Sequence, residues 1–136
     1  MIRHEYIHND KFEFEGGGSI EGLKVVYHTS ERPWAKGDSR KVIWICHALT
    51  ANSDAEDWWP ELVGPGKLFD TEKYFVVCSN MLGSAYGSSG PSSINPDSGK
   101  PYYFDFPKVT VRDIVRANDL VRTHLGIENI DFMVGG

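Results

Sequence analysis

Apolar residues fall along this chain in three rhythms, and each predicts a different element. From His4 to Phe14 the run HEYIHNDKFEF sets Tyr6, Phe12 and Phe14 among charged and polar neighbours, which predicts a strand with an exposed or half-buried surface. The segment Glu15-Gly16-Gly17-Gly18-Ser19 ends it, because residues without a Cβ have no preference for strand geometry. Leu23 to Tyr27 (LKVVY) follows as a second strand, and the two predict a β-hairpin. Lys41 to Cys46 (KVIWIC), Tyr74 to Cys78 (YFVVC) and Ile130 to Val134 (IDFMV) are mostly apolar without alternation, which predicts strands covered on both faces. Between Thr110 and Leu125 the rhythm changes. Val111, Ile114, Val115, Val121 and Leu125 recur at helical spacing and predict one apolar stripe. Thr110 and Asp113 have the spacing of a variant capping box, and Gly126 stands where a helix C-terminal glycine belongs.

The order strand, loop, strand, loop, helix, strand predicts an α/β fold with a mostly parallel central sheet and an N-terminal β-hairpin. Functional groups in such sheets gather at the carboxyl ends of the strands. Three predicted strands end in conspicuous sequences: His47-Ala48-Leu49-Thr50, Ser79-Asn80-Met81-Leu82-Gly83, and Gly135-Gly136. After Ser79-Asn80-Met81-Leu82-Gly83 a Gly-, Ser- and Pro-rich loop runs to about Pro107, too long for a plain connection, and is read as functional.

Composition narrows the class. At 136 residues with 40% apolar content the chain is read as one domain, with no tract biased toward disorder. The net charge of −5 is spread over mixed signs, with no basic patch to follow a phosphate backbone, so nucleic acid is not an expected partner. No apolar run is long enough to span a bilayer, and Met1 to Phe14 lacks the layout of a secretory signal, so the cytoplasm is the expected location. Cys46 and Cys78 end apolar runs and are expected as buried free thiols. His4, His8 and His28 have no metal-ligand spacing, and no metal is expected.

The strand-ending sequences carry the chemistry. A strand that runs into Gly135-Gly136 has the start of a G-x-S-x-G turn, in which the flanking glycines allow the sharp bend that exposes a nucleophile. Gly135 is then the first glycine and Gly136 the variable position, with the serine expected as the next residue. The loop after KVIWIC is where such a fold places one amide of its oxyanion hole, and Leu49 is the candidate donor. His47 is read as a histidine that holds this loop, with Thr50, Asn80 and Gly83 as further loop candidates around the site. Trp58 and Trp59 are read as packing residues, and Asp57 and Glu61 as solvated.

Several blocks in order (HALT, Trp58-Trp59, LVGPGK from Leu62, NMLGSAYGSSGPSSINP from Asn80, Asp105-Phe106-Pro107, TVRD from Thr110, His124-Leu125-Gly126-Ile127 and Val134-Gly135-Gly136) resemble the homoserine O-acetyltransferase family from about Lys24 onward. Ala51 and Ala85 depart from residues common in that family, glycine and cysteine. The resemblance implies the N-terminal part of an α/β-hydrolase fold, residues 1–136 being an incomplete catalytic domain. It further implies ping-pong acyl transfer from acetyl-CoA to L-homoserine on the methionine route, with no bound cofactor, small-molecule partners and a homodimer. The serine, acid and histidine would all lie past Gly136, leaving residues 1–136 inert by themselves. Homoserine O-succinyltransferases and serine O-acetyltransferases share the blocks. An esterase of the same fold and a non-enzymatic binding module are the remaining readings.

Overall fold

The computed structural model describes residues 1–135. In chain order its main elements are β1 (Ile2–Glu13), β2 (Ser19–Thr29), β3 (Val42–Cys46), α1 (Ala55–Trp58), β4 (Phe75–Ser79), β5 (Ile94–Asn95), β6 (Lys100–Pro101), α2 (Val111–His124) and β7 (Phe132–Gly135). Five strands form one sheet in the order β1-β2-β4-β3-β7. β1 and β2 are the expected hairpin, with a bulge between His8 and Lys11, and β2 joins β4 antiparallel through Tyr27–Thr29. β4, β3 and β7 are mutually parallel neighbours. The sheet is therefore mixed, with its parallel part at β4, β3 and β7.

The unbroken apolar run of β3 is explained by its central place. Val42 and Trp44 face one core with Phe75, Val77, Ala117 and Val121, while Ile43 and Ile45 face a second with Val76, Cys78, Ala55 and Val63. Both faces of β3 and β4 are covered, so alternation would have left polar groups dry. Cys46 and Cys78 are free thiols, and burial pushes both above the usual thiol range. Trp58 and Trp59 stack at 5.2 Å between ring centroids and pack on the second core, with the Trp58 indole donating to the Asn52 carbonyl.

Two expectations are corrected. The α2 stripe does not include Val111 and Val115, which are exposed; the helix buries Asp113, Ala117 and Val121 instead, with Ile114, Leu120 and Leu125 packed at the margin. The small Ala117 marks where the helix approaches the sheet, a feature that weighting by large apolar residues misses. β7 is the second. It pairs with β3 alone among the described residues, and Phe132 and Met133 are exposed. IDFMV is thus an edge strand here, and Met133 lines an open groove with Trp44, Cys46, Val115 and Ile130.

That groove and the β7 edge together form an apolar surface with unpaired backbone groups beside it, an arrangement that favours association. Isolated residues 1–136 are expected to self-associate at micromolar concentration in sedimentation velocity. A single monomeric species with a sharp unfolding transition would contradict this.

Candidate active site

Register brings two of the conspicuous strand ends together. Cys46 is paired with Gly135 at the parallel β3–β7 boundary, and β4 ends on the other side of β3. The loops that follow Cys46 and Ser79 therefore rise from the same rim on which β7 ends. A Cβ built on Gly135 would lie 3.8 Å from the Cys46 carbonyl oxygen, an ordinary contact. Gly136, the second glycine of the expected turn, lies outside the described residues.

The loop after β3 begins with His47, which is 5% exposed. The Met81 amide donates to its Nε2 at 3.1 Å, so this nitrogen carries no proton, and Nδ1–H donates to the Ala48 carbonyl at 2.8 Å. Both ring nitrogens are occupied in tying the β3 loop to the β4 loop, which is the holding role expected of His47 and leaves no free nitrogen for a general base. Ala48 to Ala51 then forms a turn closed by the Ala51 amide on the Ala48 carbonyl. Leu49 is its second residue. Its side chain is 97% exposed, and its N–H donates to no group of the described residues. An amide so placed can meet a developing negative charge. Thr50 is exposed, and its carbonyl accepts a long contact of 3.4 Å from the Tyr86 hydroxyl.

Asn80 is buried where β4 ends. Its Oδ1 accepts from the Ser53 amide at 2.7 Å and its Nδ2 donates to the Tyr86 carbonyl at 2.9 Å. Gly83 lies farther along and serves packing within its loop: its φ is +85°, its amide donates to the Ser89 carbonyl, and a Cβ on Gly90 would sit 3.2 Å from the Gly83 Cα. A side chain at Gly90 would crowd the Gly83 backbone, whereas at Gly83 a Cβ meets only Val109 at 3.6 Å and the positive φ is what favours glycine.

Three residues join the network with no sequence signal. His28, at the end of β2, meets Ser53 Oγ at 2.7 Å through Nδ1, and its Nε2 lies 3.9 Å from Asp54 Oδ2. Serine, histidine and aspartate in such proximity suggest nucleophilic catalysis, but Ser53 has no exposed surface and cannot meet a substrate. The trio instead ties β2 to the β3 loop. Burial keeps His28 below the ordinary imidazole pKa against the opposing pull of Asp54. Nothing in the spacing of His28, Ser53 and Asp54 reveals these contacts, because they depend on the order of β2, β4 and β3.

Among the described residues no three His, Cys, Asp or Glu side chains are arranged to hold a metal, and no helix is long and apolar enough to cross a membrane.

A family model described as the alpha/beta hydrolase fold matches residues 41–136. The chain belongs to that family. It is also similar to curated proteins named homoserine O-acetyltransferase. One, from Cyclobacterium marinum, is 43% identical over 136 residues, which is all of this chain and 38% of the relative. The chain thus spans well under half the length of the relatives it matches. Among solved structures it resembles the homoserine O-acetyltransferase from Bacillus anthracis (31% identity, TM-score 0.81, covering 98% of this chain and 39% of that one). Esterase E22 is equally similar in sequence, at 31% identity and a TM-score of 0.84, covering 98% of this chain and 40% of that one. The α/β-hydrolase fold expected from the motif order is the fold of these relatives.

Proposed function

We propose that this chain is the amino-terminal portion of an enzyme that moves an acetyl group from acetyl-CoA to the hydroxyl of L-homoserine. The observation that carries the reading is the pairing of Cys46 with Gly135, which sets the free Leu49 turn and the end of β7 on one rim. The relatives named homoserine O-acetyltransferase support the choice of reaction. A serine directly after Gly136 attacks the thioester carbonyl, and the CoA thiol leaves with a proton. The Leu49 amide and that of the residue after the serine hold the oxyanion. The homoserine hydroxyl then attacks the acyl-enzyme, giving O-acetylhomoserine and restoring the serine. A later aspartate orients a later histidine as general base. Residues 1–136 supply the oxyanion amide and the scaffold, and are inert by themselves. The full-length enzyme works as a cytoplasmic homodimer in methionine synthesis, with acetyl-CoA as co-substrate and no bound cofactor. A succinyl donor or a serine acceptor would use the same steps.

A second reading, ester hydrolysis, is favoured by the likeness to esterase E22. The full-length protein given acetyl-CoA with and without L-homoserine separates the two. Acceptor-dependent release of CoA with formation of O-acetylhomoserine is expected. CoA release indifferent to homoserine, or turnover of simple esters alone, would sink the transferase reading.

A further inference from the structure

We propose that Asn80 is the positioning residue that fixes the 47–54 loop, and with it the Leu49 amide, against the end of β4; this rests on the oxyanion role assigned to Leu49 above. The backbone of Asn80 belongs to the scaffold. Its N–H donates to the Val26 carbonyl at 2.8 Å, and its carbonyl accepts from Ser88 Oγ at 3.2 Å. Its carboxamide, 2% exposed as a residue, reaches off that scaffold to the loop. Oδ1 accepts from the Ser53 amide, and Nδ2 donates to the Tyr86 carbonyl. Because one bond needs an acceptor and the other a donor, the amide plane has one orientation that satisfies both. The loop is pinned at its start by the His47 ring on the Met81 amide and toward its end by Ser53 on Asn80. The turn carrying Leu49 lies between the two pins, held by the His47 ring on the Ala48 carbonyl at 2.8 Å and by a long contact of 3.4 Å from the Tyr86 hydroxyl to Thr50. Removing the Asn80 carboxamide leaves Ser53 tied to the sheet only through its hydroxyl on His28 and frees its backbone amide, which lets the turn drift. A misplacement of about 1 Å in a catalytic group costs on the order of a hundredfold in rate.

The test uses the full-length protein at steady state with acetyl-CoA and L-homoserine. Asn80→Ala is expected to lower kcat about tenfold to a hundredfold and to leave both KM values within about twofold, since the oxyanion contact is made in the transition state. Ser89→Ala is the control. It removes the hydrogen bond from the Lys24 amide but touches neither Asn80 nor the 47–54 loop, so it lowers the melting temperature and keeps kcat within about twofold.

Asn80→Asp gives a pH-dependent readout, taken with a melting curve at each pH so that loss of folded protein is separated from loss of positioning. When ionised, the introduced carboxyl turns an acceptor toward the Tyr86 carbonyl; when protonated, it donates there and restores the native pattern. The ratio of its kcat to that of wild type therefore rises as pH falls. The charged and titratable groups around Asn80, namely Arg3, His28, His47 and Asp54, are present in both proteins, and the wild-type profile is the reference for the ratio. If Asn80→Ala does not fold, this ratio decides alone. A flat ratio, a kcat loss shared by Ser89→Ala, or a defect confined to KM would overturn the assignment. Wild-type protein that is folded but acetylates nothing would overturn the functional reading instead.

Discussion

Replacing Leu49 with proline in the full-length protein is expected to lower kcat about a hundredfold to a thousandfold while KM stays near its wild-type value. Proline removes the one backbone hydrogen that the account assigns to the oxyanion. It does so at low structural cost, because Leu49 is the second residue of the Ala48–Ala51 turn, where the fixed φ of proline is favoured. The leucine side chain is almost wholly exposed, and its N–H supports no other part of the described fold. Leu49→Ala, which keeps the N–H, is therefore expected to retain kcat within about threefold. Steady-state kinetics on both variants, with melting curves to show that each is folded, check the pair. Equal activities would mean that the amide is not used; a large loss in Leu49→Ala would shift the role to the side chain.

Asp113→Ala is expected to cost about 3 kcal/mol of folding stability. The carboxylate is fully buried. Its Oδ2 accepts from the Thr110 amide at 3.0 Å, closing the capping box, and its Oδ1 accepts from the Glu15 amide at 3.0 Å, pinning the β1–β2 turn to the start of α2. Arg116 pairs with it at 3.3 Å. Alanine leaves two amides without their acceptor and strips the arginine of its partner. Asp113→Asn keeps an acceptor and should lose about half as much. Burial alone would raise the pKa of Asp113, but the Thr110 and Glu15 amides, with Arg116, outweigh it and hold the group below the ordinary carboxylate value. Its contribution is thus fully present above the usual aspartate range and is lost as pH falls through the lowered pKa. Urea unfolding at neutral and acid pH checks both points. A Asp113→Ala variant as stable as wild type at neutral pH would contradict the role.

Asp113 also shows how far the sequence could be read. Its pairing with Thr110 is local, three residues apart, and the spacing exposes it; its bond to Glu15, 98 positions away, depends on how the hairpin lies over α2. The same division runs through the site. KVIWIC reads as a covered strand because both faces of β3 are buried, and HALT reads as a rim loop because it follows that strand. IDFMV is likewise mostly apolar, yet β7 is an edge among the described residues, because burial depends on neighbours rather than on composition. His47 was legible as a loop-holding residue. The Met81 amide it binds was not, and neither was the Ser53–His28 tie, since each depends on how β2, β4 and β3 are ordered in the sheet.

Trapping the acyl-enzyme bears most directly on the claim that the rim beside Cys46 and Gly135 is where acyl transfer occurs. The full-length protein is mixed with acetyl-CoA in the absence of homoserine, quenched in acid, digested and mapped by mass spectrometry. The account predicts an acetyl group on a serine joined to Gly136, discharged when homoserine is added before the quench. An acetyl group carried stably at any other residue, or none while turnover proceeds, would contradict it.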